Sequence, residues 1–234
     1  MLAQTLLVLG EFPRAREHAE LGMAVYEPHL QRPQVTLVHQ APGVTCLITA
    51  AQALWHLGYP DQAMQRNYAA LALARELDHL YSLAWTLSWA AILHWHRQEP
   101  QATLAQLEAA VALATEHGFV QWVAQGTILR GRVLATQGHE AEGIAQVQQG
   151  LAAYRATGTA LLQPYFLALL AEAYRSAGQA EAGLPVLAEA LRLVHDTGEC
   201  WYQAELYDSK GSCCLTSRRS VRLKRPSIYS KPSI

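Results

Sequence analysis

The chain has 234 residues, 51% apolar and 16% charged, enough to bury a large core, and its Ala, Leu, Gln and Glu favour helix. The formal net charge of −1 hides a split: residues 1–208 hold 11 Arg, no Lys and 19 acids, a charge of −8, whereas residues 209–234 hold seven basic residues and no acid. The acidic body argues against a nucleic-acid groove, the missing lysine removes a P-loop and a Schiff base, and no run approaches the roughly 18 apolar residues of a membrane span.

Residues 2–9 read as a short apolar helix running into the turn Leu9-Gly10-Glu11-Phe12-Pro13-Arg14-Ala15. It lacks a basic n-region, so it is not a signal peptide. It is shorter than its later counterparts, so it reads as cut, with helical chain expected before Met1. Pro13 opens a partner helix to about residue 26, because a first-turn proline gives up an N–H that has no helical acceptor. Pro28, Pro33 and Pro42 bracket Val35-Thr36-Leu37-Val38, expected to be extended or loop.

The next pair is residues 44–57, with Leu47, Ala51, Leu54 and Gly58 on one stripe, and residues 61–77. In the latter, Ala63, Asn67, Ala70 and Ala74 let another backbone approach closely. Residues 81–96, carrying Trp85, Trp89 and Ile92, pair with 101–117. Residues 119–137, with Trp122, Ile128, Leu129 and Leu134, pair with a helix from Glu140 that ends at Gly158. Its Gly143 and Gly150 cost about 2 kcal/mol against alanine, so a close neighbour is expected to compensate. Residues 161–177 and 182–196 are the fifth pair, and 199–206 open a sixth.

The joining turn recurs as Leu57-Gly58-Tyr59-Pro60-Asp61-Gln62-Ala63, Arg97-Gln98-Glu99-Pro100-Gln101-Ala102, Gln137-Gly138-His139-Glu140-Ala141-Glu142-Gly143 and Ala177-Gly178-Gln179-Ala180-Glu181-Ala182-Gly183. The small residue opening each second helix falls at 15, 63, 102, 143 and 183, and the last four are 39, 41 and 40 apart. A period of about 40 predicts an all-α right-handed solenoid of about five helix pairs.

After residue 208 the composition changes. Three serines precede this point and seven follow it, and the first lysine is Lys210. Residues 1–208 are read as the array, truncated at both ends. Residues 209–234 are read as a basic, Ser-rich disordered tail, either native or out-of-frame, leaving the array without a capping repeat. Isolated Cys46 and Cys200 are expected to be buried, and Cys213 and Cys214 to lie in the tail; none has metal-ligand spacing. Sparse cysteine points to the cytoplasm.

Several stretches resemble a known family: Pro42-Gly43-Val44 with Cys46-Leu47, Ala53-Leu54-Trp55 through Ala63, Ala114-Thr115-Glu116-His117-Gly118-Phe119, Gln149-Gly150-Leu151-Ala152-Ala153-Tyr154-Arg155-Ala156-Thr157-Gly158, and Pro164-Tyr165-Phe166-Leu167-Ala168-Leu169-Leu170-Ala171-Glu172-Ala173-Tyr174. Over residues 2–207 the chain resembles the C-terminal tetratricopeptide-like (TPR) region of large bacterial signalling proteins. In these, a nucleotide-cyclase, kinase or DNA-binding head is joined to an AAA-type ATPase and then to a helical array. The resemblance implies a role in bacterial signal transduction. It transfers no catalytic residue, because no catalytic motif of the family lies in this chain.

No residue set points to chemistry, and no catalytic residue, cofactor or metal is expected. His94 and His96 diverge by about 200° on a helix and cannot share a metal. Asp61 and Glu99, next to helix starts, are expected to cap them. Trp85, Trp89 and Trp122 lie on successive first helices, which line the concave face of such solenoids; with Gln52, His56, Gln125 and Arg130 they are the candidate concave-face residues. The competing reading makes the rings interlayer core. The function expected is a non-catalytic scaffold that binds a protein, a peptide or upstream domains of its parent, with no nucleic acid or membrane partner. The alternative is an effector-sensing array controlling a cyclase or transcription head. A groove lined by Asn and Arg would favour peptide capture, and a closed aromatic pocket a small effector.

Overall fold

Turn geometry sets the architecture. The computed structural model describes residues 1–26 and 40–223, so the expected extended stretch at 35–38 lies outside the described residues. Among the described residues are 11 α-helices and no strand. Five pairs run α1 (Leu2–Val8) with α2 (Phe12–Ala24), α3 (Pro42–His56) with α4 (Pro60–Glu76), α5 (Leu80–His96) with α6 (Pro100–Glu116), α7 (Val120–Thr136) with α8 (Glu140–Ala156), and α9 (Gln163–Ser176) with α10 (Ala180–Thr197). A sixth first helix, α11 (Gln203–Leu223), follows.

Within each pair the first helix ends on a residue in the left-handed region, as at Gly58 with φ 85° and Gly138 with φ 89°. There the Tyr59 N–H donates to Leu54 O at 2.9 Å, the six-to-one bond that satisfies the last helical carbonyls. Gln98 takes the same conformation, φ 61°, where the repeat lacks its glycine.

The two helix classes bury different surfaces. Second helices carry one stripe: α6 buries Thr103, Leu107, Ala110 and Ala114, and α4 buries Ala63, Asn67, Ala70 and Ala74 among six residues. First helices are covered nearly all round; α5 buries 12 of its 17 residues. Each first helix packs on its own partner, on the second helix of the preceding pair and on the first helices beside it. That double coverage is what a helix apolar on every side requires. One core cluster joins the layers from Ala41 to Cys213.

The glycines of α8 mark the tightest contact. A Cβ at Gly143 would lie 2.6 Å from Gly131 O and 2.7 Å from Ala135 N, and one at Gly150 would lie 2.6 Å from the Ile128 side chain. Backbones approach there as no larger residue allows.

Three expectations are corrected. Helix α11 continues past residue 208 to Leu223, and Ser209 and Cys213 are buried, because the sixth helix still packs on α9 and α10. Cys46 and Cys200 are only half-buried. Glu99 is the N-cap residue of α6 but makes no capping bond. Its carboxylate instead accepts from Arg97 Nε at 2.9 Å and bonds His94 Nδ1 at 2.6 Å, since the left-handed turn at Gln98 brings both side chains within reach.

Candidate functional site

The superhelix curves far enough for its ends to meet. Val8 O, at the end of α1, accepts the N–H of Cys200 at 2.9 Å and of Trp201 at 3.2 Å, from the loop between α10 and α11. Gly10 lies against this joint: a Cβ there would stand 3.7 Å from Cys200 Cβ, an ordinary contact, and it is the φ of 80° that calls for glycine. His56 completes the seam, stacked on Phe12 at 4.3 Å with Trp201 edge-on at 5.8 Å. Burial, with His96 nearby, lowers its pKa to about 4. His96 stacks on Trp55 and is held at about 4 by burial.

Beside the meeting of the ends lies a partly open chamber of about 60 Å³. Five rings form its wall: Trp85 and Trp89 from α5, Trp122 from α7, Tyr154 from α8, and Trp201. Gln4, Gln40, Thr49, Gln52 and Gln121 supply amides and a hydroxyl, and no charged side chain lines it. The volume has room for a few waters or a small ligand group.

Polar groups around the chamber fall into two sets. Tyr154 donates its hydroxyl to Leu161 O at 3.0 Å, and burial raises its pKa. Glu199, 3% exposed, accepts from Leu162 N–H at 3.0 and 3.1 Å and from Trp201 Nε1–H at 2.9 Å. Burial raises its pKa, and the two N–H donors act against that rise. By contrast, Trp89 Nε1, Trp122 Nε1 and both amide atoms of Gln125 are buried without a partner. Each such group costs about 1–3 kcal/mol.

The expected residues are thus divided. Gln52, Trp85, Trp89 and Trp122 come together on the chamber, and the three rings are at the same time core, 3–5% exposed. His56 sits in the seam, Gln125 is wholly buried and does not line the chamber, and Arg130 is exposed and outside it. Sequence reasoning missed Trp201, Tyr154 and Glu199. Tyr154 is on a second helix, and Trp201 and Glu199 follow Gly198, in a joint unlike the regular turns. An aromatic three residues after a helix-ending glycine, in a joint with a lone acid, was the available signal.

A second buried cluster is structural. Arg132 spans from α7 to Glu172 on α9, donating from Nε at 2.9 Å and Nη2 at 2.7 Å, with Trp95 beneath it at 5.1 Å.

Comparison with known proteins agrees with the fold. A Rap protein complexed with Competence and Sporulation Factor superposes over 95% of this chain and 61% of its own, with TM-score 0.59 and 18% identity. Kinesin light chain TPR-like repeats from Podosopora anserina superpose over 84% of this chain and 92% of theirs, with TM-score 0.51 and 17% identity. The fold is a right-handed TPR-like superhelix. No family model matches the chain. An uncharacterized protein of Rhizobium meliloti (strain 1021) is 26% identical over 201 residues, 85% of this TPR-like chain and 19% of that protein. The chain therefore spans less than a fifth of that relative, and less than two thirds of the Rap chain.

Proposed function

We propose that this chain is a non-catalytic TPR-like scaffold that mediates protein–protein interaction or regulation in bacterial signal transduction. It acts in the cytoplasm within, or beside, a larger protein bearing an AAA-type ATPase and a cyclase, kinase or DNA-binding head. The observation that carries this reading is the division of the layers. Second helices spend one narrow stripe on the core and leave the rest to solvent, a continuous outer surface for a partner. Inside, ionisable groups are engaged in structural pairs, Arg132 with Glu172 and His94 with Glu99. The Rap structure is of a complex, so this fold can hold a second molecule. The much longer Rhizobium protein supports an array within a multidomain chain.

A second reading has its own observation. The aromatic-walled chamber favours an array that senses a small effector and controls its output head. Capture from bacterial lysate on the immobilised chain, read by native mass spectrometry, separates the two. A stoichiometric protein carrying an ATPase or output domain is the expected result. A small molecule without protein replaces the first reading by the second, and recovery of neither overturns both.

A further inference from the structure

We infer that the open flank of α11 docks an amphipathic helix of a partner protein, one that runs antiparallel to α11 with a small residue over Gly211 and a basic residue beside Asp208. This rests on the scaffold reading and names the surface and the kind of partner.

Three observations converge. First, the repeat shows what belongs on this flank. Positions 51, 91, 131, 171 and 211 are Ala, Ala, Gly, Ala and Gly, each 40 residues after the last. The first four are buried. A Cβ at Gly131 would stand 2.7 Å from Gly143 O and 2.8 Å from Val147 N of its second helix, and a Cβ at Gly183 would stand 3.1 Å from Ala171 O. The contact runs antiparallel, since Gly150, further along α8, meets Ile128, further back on α7. At Gly211 an added Cβ would meet nothing within 4 Å. Glycine costs helix stability, and no contact among the described residues offsets that cost here.

Second, the flank is apolar as well as open. Ala204, Tyr207, Gly211 and Leu215 follow at intervals of three and four and are all exposed. They lie opposite Leu206, Ser209 and Cys213, the buried side of α11. Tyr207 is 58% exposed and Leu215 71%, whereas Leu167, 40 residues before Tyr207, is 2% exposed. Helix α11 thus leaves uncovered the side that its counterpart α9 buries with Pro164, Leu167, Ala168 and Ala171.

Third, the flank carries one charge at a telling place. Asp208 holds the position of Ile48, Ser88, Ile128 and Ala168, all wholly buried. At about 100° per residue it falls within the apolar stripe, while Glu205 and Lys210 lie roughly 100° and 120° off its centre. A helix seated there takes the Asp208 carboxylate out of water, which is unfavourable unless it brings a cation. The chain's own second helices place Ala70, Ala110, Gly150 and Ala190 at the facing position, so none of them supplies one.

The test is fluorescence anisotropy of two labelled peptides titrated with the full chain: the α4 sequence Pro60–Glu76, and the same peptide with Ala70→Arg. The Ala70→Arg peptide is expected to saturate the chain and the unaltered peptide to bind at least about tenfold weaker. Asp208→Asn in the chain should bring the two peptides to equal affinity. Gly211→Leu should weaken both at least about tenfold, because a side chain then fills the line of closest approach. That substitution puts a better helix former where nothing touches it, so the variant stays folded, as circular dichroism checks; if it does not, Asp208→Asn decides. No binding of the Ala70→Arg peptide, equal affinity of the two peptides for the unaltered chain, or binding indifferent to Gly211→Leu overturns the proposal. Sedimentation velocity covers the other occupant: a dimer that Gly211→Leu dissociates gives the flank to a second copy and likewise overturns the partner helix. Lysate capture on the unaltered chain and on Gly211→Leu separates the two failures. A protein bearing an ATPase or output domain that both retain equally leaves the scaffold reading standing without this surface, and capture of nothing by either, with the peptides unbound, ends both.

Discussion

Arg132 shows how one residue ties two layers. It and Glu172 are 9% and 17% exposed in their side chains, and their bond joins first helices 40 residues apart, one full repeat. Arg132→Leu is expected to lose about 3–5 kcal/mol in urea unfolding, because Glu172 is left as an uncompensated buried charge. Adding Glu172→Leu should recover much of that loss, and a double variant as unstable as the single would contradict it. Two part-buried histidines act through pH. His56 and His96 titrate near 4 in the fold against 6.5 in the unfolded chain, so the unfolded state takes up protons first on acidification. Their contribution is complete above pH 6.5 and is lost as pH falls from 6.5 to 4, up to about 3 kcal/mol per ring. Chemical denaturation across that window should show the decline, and a His56→Gln/His96→Gln variant should flatten it. None of this pairing was legible in the chain alone. Arg132 passed as an ordinary helical arginine, and Glu99 read as a cap because a sequence does not show that Gln98 turns left-handed and delivers His94 and Arg97 to it.

At the scale of the helix, the repeat period, the turn glycines and the alanine stripes were legible. They are local: a left-handed turn needs glycine, and a close backbone needs a small side chain, wherever the helix lies. The α7–α8 contact makes this quantitative. Alanine is a better helix former than glycine by roughly 1 kcal/mol, yet a Cβ at Gly143 would meet backbone atoms at 2.6 and 2.7 Å. Gly143→Ala is therefore expected to destabilise by about 2 kcal/mol or more, measured by thermal and urea unfolding; a stabilised variant would show the helices can separate freely. The end of α11 was misread for a physical reason. Basic and serine-rich composition signals disorder, but Ser209 and Cys213 fall on the face that packs on the fifth pair. Removing residues 209–234 is expected to lower the melting temperature by about 5 °C, from roughly 2 kcal/mol of lost burial. An unchanged melting temperature would mean the segment adds nothing to the fold.

Across the whole molecule, the feature that composition and period could not reveal is closure. Whether first helices offer an open groove or a walled chamber depends on the small rotation from layer to layer, summed over five pairs. No single turn encodes that sum. It brings α1 against the joint before α11, turns Trp85, Trp89 and Trp122 from groove candidates into chamber walls, and leaves Arg130 outside. The chamber and the effector-sensing reading both follow from that contact. The measurement that tests it most directly is a disulfide across the seam. A Cβ at Gly10 would stand 3.7 Å from Cys200 Cβ, inside the range a disulfide needs. Gly10→Cys should cross-link to the native Cys200 under mild oxidation, seen by peptide mapping as a bond between residues 10 and 200. Gly58→Cys, at another left-handed glycine with open space around it, should form no such bond to Cys200. Free thiols at both positions 10 and 200 in the oxidised, folded protein would mean that the ends do not meet.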